Sequence, residues 1–159
     1  MPVTPDEFRA AMSRFPSGIT VVTSIDSSGA LHGITVSAFC SASLEPPLIL
    51  VCIEKTTGSH GAIAESKNFV VNFLGAKKDM LSEQFSLRTA DKFAGIGISK
   101  STVGIPVLDD AHVILECSLH NACDAGDHSI FIGQVEQVTI REEMPLVYFQ
   151  GRYRDLLDL

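Results

Sequence analysis

Side-chain hydroxyls recur at every second position in the segment ITVSAFCSASLEPPLILV. Thr35, Ser37, Ser41 and Ser43 carry these hydroxyls, and Phe39 occupies the middle place in the row. Successive side chains of an extended chain point to opposite faces, so the spacing predicts that these residues share one face of a strand. A solvated strand face usually carries longer polar side chains, whereas short hydroxyls suit a surface that lies close to a polar group. The row therefore indicates hydrogen bonding to a polar ligand held against the strand.

The segment EKTTGSHGAI brings Lys55 and three hydroxyls next to the predicted start of a helix. Free backbone N–H groups and the positive end of the helix dipole favour a phosphate at such a place. In the alternative interpretation, Ser59 only caps the helix and Lys55 is an ordinary solvated charge. One predicted buried strand joins this segment to the hydroxyl row, so the two can face a common cleft. Together they predict a site for a phosphorylated, polyhydroxylated ligand.

Other candidate sites are weaker. Cys117, His120 and Cys123 are metal-ligand residue types, but a strand turns residues three apart to opposite faces, so we expect no metal site. His128 opens a predicted strand with Asp127 beside it, which fits either a structural hydrogen bonder or a catalytic group. The sequence contains neither the G-x-S-x-G motif of a hydrolase nor the G-x-G-x-x-G motif of a dinucleotide site. These motifs therefore support neither hydrolysis nor a Rossmann site.

Length and charge narrow the classes of function. A chain of 159 residues with 45% hydrophobic residues is long enough for one domain with a full core. The formal net charge of −7 and the pI of about 5.1 argue against a surface for nucleic acid or anionic membrane, which needs clustered Lys and Arg. The sequence shows no signal-peptide pattern and no membrane-length apolar run, so we expect a cytoplasmic protein with reduced cysteines.

The helices that must position these residues are predicted to be few and short. Thr4, Pro5 and Glu7 form a capping-box pattern, which indicates an amphipathic helix near the start of the chain. Two further short helices are predicted for GSHGAIAES and KKDMLSEQF. The Gly-rich stretch FAGIGISKSTVGIP is predicted to be a loop.

The remaining elements are predicted to be strands. Alternation and β-branched residues predict six or seven of them, with DSSG as the hairpin turn between the first two. They are ITVVTSI, the hydroxyl row, PPLILVCIE, NFVVNFL, AHVILECSL, HSIFIGQVEQVTI and PLVYFQG. PPLILVCIE is almost continuously apolar, so we predict that it is buried on both faces. Such a succession is typical of a β-barrel rather than of a βαβ fold.

Seven stretches of the chain, in order, resemble the flavin reductase-like domain family, and specifically the short NAD(P)H:flavin reductases that serve two-component monooxygenases. They are FRAAMSRFPSGITVVTS, GITVSAFCSASLEPPLILVCI, GSHGAIAESKNFVVNFL, LSEQF with DKFAGI, GIPVLDDAHVILEC, GDHSIFIGQV and PLVYFQGRYR. The resemblance covers nearly the whole chain and implies a single flavin reductase-like domain over residues 1–159. It implies a mainly β fold, the Greek-key-like FMN-binding split barrel with a few short helices. It also implies a homodimer with flavin held along a groove near the subunit interface.

The resemblance further implies which residues bind the flavin. The hydroxyl strand would lie along the flavin, with its last two serines near the ring, and a second group would surround the ribityl chain and phosphate. The residues of the strand are Thr35, Val36, Ser37, Ala38, Phe39, Ser41 and Ser43, and those of the second group are Cys52, Ile53, Lys55, Thr57, Ser59 and His60.

Five more residues follow from the same resemblance. Lys92 and Phe93 are implied to approach the cofactor. His128 is implied to lie beside the nicotinamide as the catalytic residue. The segment YFQGRY is implied to help bind the nicotinamide through Arg152 and Tyr153.

The implied reaction is hydride transfer from C4 of a reduced nicotinamide to N5 of a flavin, for which the protein supplies stacking and orientation. The flavin would be FMN or FAD, the donor NADH or NADPH, and a separate monooxygenase would receive the reduced flavin. Such a reaction needs no general base, in keeping with a sequence that shows no cluster of catalytic carboxylates. Two alternatives stay open. One is an electron carrier of the same fold that keeps its flavin tightly bound, and the other is a non-enzymatic binder of haem or another flat cofactor.

Overall fold

The computed structural model describes residues 3–89 and 91–156. Within these residues the chain forms three short helices, α1 (Pro5–Met12), α2 (Gly58–Ser66) and α3 (Asp79–Ser86). The same residues contain twelve strands, which are β1 (Ser17–Gly18), β2 (Thr20–Ile25), β3 (Leu31–Val36), β4 (Phe39–Ser43), β5 (Leu48–Glu54), β6 (Asn68–Leu74), β7 (Ile98–Lys100), β8 (Pro106–Leu108), β9 (Ala111–Ala125), β10 (His128–Ile140), β11 (Val147–Phe149) and β12 (Arg152–Arg154).

Seven of the strands form one antiparallel sheet in the order β3-β2-β6-β9-β10-β5-β4. β3 and β4 lie at opposite edges of this sheet, although only Ser37 and Ala38 separate them in the chain. A flat sheet of seven strands would hold its edges about 29 Å apart, whereas two linking residues span only about 11 Å. The sheet must therefore curl until its edges approach each other, yet β3 and β4 are not hydrogen-bonded neighbours. This open barrel with short helices confirms the predicted mainly β split-barrel fold class.

The central strands β2 and β6 are buried on both faces. Val22 and Val71 point into the barrel, where they pack with Phe69 and with residues of the surrounding strands. Their neighbours Val21 and Val70 point outward and join a second apolar cluster, which includes residues of α3 and β8. Helix and strand layers on the outside therefore complete the burial of these two strands.

β5 lacks such an outer layer. Ile49, Val51 and Ile53 are buried in the barrel, whereas the alternating residues Leu50 and Cys52 are only partly buried. β5 lies next to the edge strand β4, so its outer face borders an open cleft. The prediction that PPLILVCIE is buried on both faces is therefore wrong.

Fully buried Asn72 connects three strands through its side chain. Its Nδ2 donates to the carbonyl oxygen of Val21 at 3.0 Å and to Oγ1 of Thr23 at 3.2 Å. Its Oδ1 accepts a hydrogen bond from the backbone N–H of Leu108 at 2.9 Å. This one amide thus ties β2 and β8 to β6.

The capping box predicted for α1 is present. The Thr4 hydroxyl accepts from the Glu7 N–H at 3.2 Å, and the Glu7 carboxylate accepts from the Thr4 N–H at 2.9 Å. No residue of α1 is buried, and Phe8, Met12 and Phe15 are exposed on or just after it. None of the helices in the described residues is long and apolar enough to cross a membrane.

Two sequence predictions about local structure are wrong. The hydroxyl row is not one strand, because β3 ends at Val36, the chain crosses to the other sheet edge, and β4 begins at Phe39 with a register shift between Ser41 and Ser43. Side-chain alternation holds only within one strand, so the predicted common face does not form. The predicted Gly-rich loop contains the strand β7, which pairs with β8 as a small hairpin.

Candidate functional site

Three segments that are distant in the sequence enclose a cavity of about 410 Å³, here called the polar cavity. One segment precedes and opens β3, the second joins β5 to α2, and the third follows α3. The lining residues are Ala30, Leu31, His32, Gly33, Thr56, Thr57, Gly58, Ser59, Arg88, Thr89 and Lys92. The cavity therefore brings together the predicted phosphate segment and the predicted cofactor residue Lys92.

Lys92 forms part of the cavity wall. Its ammonium group donates to the carbonyl oxygen of Gly33 at 3.1 Å and to that of Phe85 at 2.9 Å, and burial lowers its pKa. A Cβ on Gly33 would lie 2.5 Å from the Phe85 ring and 3.2 Å from the Phe93 ring. Glycine at this position thus allows the residues around Lys92 to pack closely against β3. The Phe93 ring packs edge-on against Phe85, with ring centroids 5.0 Å apart, so its side chain belongs largely to this packing.

The start of α2 forms the opposite wall. Thr57 is the N-cap, because its Oγ1 accepts from the backbone N–H of His60 at 3.4 Å. Ser59, one alternative cap in the sequence interpretation, is buried in the first turn and lines the cavity. The first-turn N–H groups therefore lie beside a solvent-accessible space, as anion binding requires.

Arg88 adds a second cationic side chain to the cavity. Its Nη2 donates to both carboxylate oxygens of Glu54 at 3.2 Å, and the Thr56 hydroxyl together with this charge lowers the pKa of Glu54. Lys55, by contrast, lies outside the residues that line the cavity and pairs with Asp124 at 3.3 Å. The cations of the cavity are thus Arg88 and Lys92 rather than the lysine of the predicted phosphate segment.

A larger cavity of about 930 Å³, here called the apolar cleft, lies between α1 and the sheet. Its walls come from α1 and the chain that follows it, from β4 to β6 and from the chain around β11. The predicted site residues that line it are Ser37, Ala38, Phe39 and Cys52. β3 begins at the polar cavity and ends just before Ser37 at the cleft, and β5 leads from the cleft to the segment that opens the polar cavity. At the cleft, the Cys52 N–H donates to the Ala38 carbonyl oxygen at 3.0 Å.

The members of the hydroxyl row have different surroundings. The Thr35 hydroxyl donates to the Ser82 carbonyl oxygen of α3 at 2.6 Å, whereas Ser37 is exposed at the cleft. Ser41 and Ser43 are exposed on β4 and line neither cavity. The strand crossing at residues 37–38 separates the row, so only part of it borders a cavity.

Four predicted residues have partly or fully buried side chains. Val36 and Ile53 belong to the core inside the barrel, so only their backbone groups can meet a ligand in either cavity. The Cys52 thiol is partly buried, and this burial raises its pKa. Phe39 packs edge-on against Phe73, with ring centroids 5.0 Å apart, at the cleft wall.

Two predicted site residues, His60 and His128, lie where β5 ends and β10 begins. Nε2 of His60 lies 2.9 Å from Oγ of Ser129, and its ring packs edge-on against Phe131. His128 opens β10 opposite Glu54, and its Nδ1–H donates to Oδ1 of Asp127 at 2.7 Å. This contact lowers the pKa of Asp127.

The two predicted residues of β12 face different surroundings. Tyr153 is partly buried and its hydroxyl makes a 2.9 Å hydrogen bond with the Ser82 hydroxyl of α3. Arg152 is exposed. Tyr153 and Thr35 therefore both hold Ser82.

The sequence predictions missed His32 and Arg88 as cavity residues. Each is an isolated charged or titratable residue in a predicted turn or loop, and neither takes part in a motif. The two residues line the same cavity because the first hairpin lies close to the chain that follows α3. For His32 alone the sequence offers a local signal, because Asp26 lies in the same predicted hairpin and can hydrogen-bond to its ring.

Cys117 is expected to resist alkylation in the folded protein. Burial, and after it the charges of Glu136 and Glu116, raise the pKa of its thiol to about 12, and the thiolate is the reactive form. Exposed Cys123 should react with iodoacetamide at about pH 8, and Cys117 should react only after unfolding. Peptide mass spectrometry measures both. Equal rates at the two cysteines would contradict this expectation.

Residues 12–157 match the family model described as "Flavin reductase like domain". The chain belongs to the flavin reductase-like domain family. This family is the one that the seven sequence stretches resemble.

The chain is similar to proteins named as flavin reductases, as an NADH:FAD oxidoreductase, or as the reductase subunit of a monooxygenase. The chain is 39% identical over 152 residues to the reductase subunit HsaB of a flavin-dependent monooxygenase from Rhodococcus jostii, covering 95% of this chain and 77% of that protein. The NADH:FAD oxidoreductase SgcE6 of Streptomyces globisporus C-1027, solved with NAD and FAD fragments, has a TM-score of 0.91 and 30% identity, covering 99% and 97% of the two chains. The flavin reductase HpaC, solved with NADP+, has a TM-score of 0.88 and 35% identity, covering 96% and 98%.

Proposed function

We propose that the protein is an NAD(P)H:flavin oxidoreductase that supplies reduced flavin to a separate monooxygenase. Its relatives in the flavin reductase-like domain family support the class of reaction. The observation that carries the proposal is the pair of cavities joined by β3 and β5. The polar cavity is cationic, as the phosphate of a flavin nucleotide requires, and the apolar cleft is wide, as the flat flavin ring requires.

The polar cavity fits the phosphate of FMN or the diphosphate of FAD. Arg88, Lys92 and the first-turn N–H groups of α2 supply donors and positive charge there. The chain from Ser37 to Phe39, with Cys52 opposite, would hold the ring at the edge of the apolar cleft. Backbone groups of Val36 and Ile53 would serve in place of their buried side chains.

In the reaction NAD(P)H transfers a hydride from nicotinamide C4 to flavin N5. Together with one proton this yields NAD(P)+ and reduced flavin. The chain's own contribution is to bind and orient the two reactants. His128 is proposed to contact the nicotinamide, with Asp127 holding its ring through Nδ1. Arg152 is proposed to contact the nicotinamide nucleotide, and Tyr153 to hold α3 against β12. A cytoplasmic location is part of the proposal and agrees with four free cysteines.

Purified protein is expected to oxidise NADH or NADPH when FMN or FAD is added, with turnover on the order of 10 per second. The loss of reduced-nicotinamide absorbance measures the rate for each pairing, with riboflavin as a third flavin. A rate no greater than that of the flavin blank in every pairing would refute the enzymatic proposal. Slow flavin release on dilution would instead favour an electron carrier of this fold.

We further propose that the protein is a homodimer, because α1 leaves Phe8, Met12 and Phe15 exposed beside the apolar cleft. Light scattering at micromolar concentration is expected to give the mass of two 17.1 kDa chains. Met12→Lys should shift the mass toward one chain. Met80→Lys, at an exposed methionine of α3, is the matched control and should not. A single-chain mass for the unmodified protein would contradict the proposal.

A further inference from the structure

His32 and Asp26 form a hydrogen-bonded pair at the wall of the polar cavity. Nε2 of His32 and Oδ2 of Asp26 are 2.8 Å apart, and both side chains are about three-quarters buried. The other carboxylate oxygen of Asp26 accepts from the Ser28 hydroxyl at 2.6 Å and from the backbone N–H groups of Ser28 and Ala30 at 2.9 and 3.0 Å. The hairpin turn therefore holds the carboxylate in place, and the carboxylate holds the imidazole.

This arrangement determines which ring nitrogen is left for a ligand. The hydrogen bonds from Ser28, His32 and Ala30 hold the pKa of Asp26 well below its usual range, so the carboxylate is ionised and can only accept. Nε2 of His32 therefore carries the proton toward Asp26. Nδ1 is the remaining nitrogen, which is a bare acceptor in the neutral ring and an N–H donor in the charged ring.

Nδ1 lies against the first residue of α2. A Cβ on Gly58 would be only 2.9 Å from Nδ1 and 3.1 Å from the adjacent ring carbon, so glycine leaves space for the imidazole edge at this point. Gly58 and His32 both line the polar cavity, together with Arg88 and Lys92. An anion bound beside the start of α2 would thus meet Nδ1.

The elements packed around His32 carry several charged or titratable side chains. Its own hairpin contributes Asp26, and the chain after α3 contributes Arg88 and Lys92. β5 contributes Glu54, which Arg88 pairs with. α2 contributes Glu65, which accepts from Ser27 in the hairpin turn, and His60, whose Nε2 lies beside Ser129. The carboxylates of Asp26, Glu54 and Glu65 already accept hydrogen bonds from other side chains. Nδ1 of His32, by contrast, has no hydrogen-bond partner among the described residues.

We propose that His32 is a specificity residue for phosphorylated flavins. Its protonated ring donates an Nδ1–H hydrogen bond to the flavin phosphate, so that FMN and FAD bind more tightly when the ring is charged. Riboflavin, which has no phosphate, gains nothing from this contact. The inference rests on the proposed function, because it assumes that the polar cavity receives the flavin phosphate. It adds a pH-dependent preference for nucleotide flavins over riboflavin, and easier release of the nucleotide as pH rises.

The test compares the binding of FAD and of riboflavin at about pH 6 and about pH 8, the range in which a histidine ordinarily changes charge. FAD is the probe, because its diphosphate has no ionisation in this range, whereas the second ionisation of the FMN phosphate lies near pH 6. Quenching of flavin fluorescence gives each dissociation constant. The unmodified protein is expected to bind FAD about tenfold more tightly, relative to riboflavin, at the lower pH.

His32→Gln keeps a donor toward Asp26 but has no titrating ring, so its FAD-to-riboflavin ratio should be the same at both pH values. His60 and His128 are unchanged in this variant, so the difference from the unmodified protein reports His32 alone. His120→Gln, at an exposed position on β9, is the matched control and should keep the pH-dependent ratio. If His32→Gln does not fold, His32→Asn serves instead, because it also replaces the imidazole with an uncharged amide.

Equal pH dependence in the unmodified protein and in His32→Gln, or in His32→Asn, would overturn the inference and leave His32 as a support of the hairpin. A ratio that does not change with pH in the unmodified protein would overturn it as well. In both cases FAD and riboflavin still bind, so the proposed function stands. Failure of both flavins to bind at either pH would overturn the inference together with the proposed function.

Discussion

Replacement of His128 by alanine is expected to lower kcat/KM for NADH about tenfold, which corresponds to ~1.4 kcal/mol of transition-state stabilisation. Flavin affinity and melting temperature should change little. The His128 side chain is 43% exposed at the start of β10, and its hydrogen bond is to an exposed aspartate. Replacement of His128 therefore leaves the packing of the core unchanged. The contact that is lost is the one to the nicotinamide, which binds only transiently. Stopped-flow flavin reduction at saturating flavin measures the chemical step directly.

His128→Gln and His120→Ala are the control variants for this experiment. The glutamine can still donate a hydrogen bond, so part of the rate should return, whereas a merely structural histidine would show no such rescue. His120 is an exposed histidine of β9, and its replacement should leave reduction unchanged. Unchanged reduction in His128→Ala, with stability lowered by about 1 kcal/mol, would assign His128 a structural role.

Replacement of Asn72 by alanine is expected to lower the free energy of unfolding by about 3 kcal/mol. The truncation leaves the Leu108 N–H and the Val21 carbonyl oxygen without their side-chain partner, and Asn72 is fully buried, so water does not take its place. For a chain of this length the loss corresponds to a fall in melting temperature of roughly 6–12 °C. Thermal and urea unfolding, followed by circular dichroism, measure it.

Asn121→Ala is the matched control, because Asn121 is exposed on β9. Its effect should stay within about 0.5 kcal/mol. An effect of similar size in the two variants would show that the connection between β2, β6 and β8 does not depend on the Asn72 amide. Flavin reduction by the folded fraction of Asn72→Ala should be retained, since Asn72 lines neither cavity.

Elements that depend on neighbouring residues could be predicted from the sequence. The capping box at Thr4 and Glu7 and the turn after Asp26 involve hydrogen bonds over two to four positions, so the local pattern contains the whole interaction. The order of strands and helices in the chain was sufficient for a β-barrel pattern, whereas the split barrel was implied by the family resemblance. The helix predicted for GSHGAIAES is α2. Each of these features is decided by contacts between residues close in the chain.

The layout of the site depends on contacts that no local pattern contains. Curling of the seven-stranded sheet breaks the hydroxyl row at Ser37, because the chain must cross there between the sheet's two edges. The same curl carries the hairpin with His32 against the start of α2 and against Arg88, more than fifty positions later in the chain. Side-chain periodicity reports which face of a strand is buried, but not which distant segment packs against it. The donors of the polar cavity therefore become neighbours only when the barrel has formed.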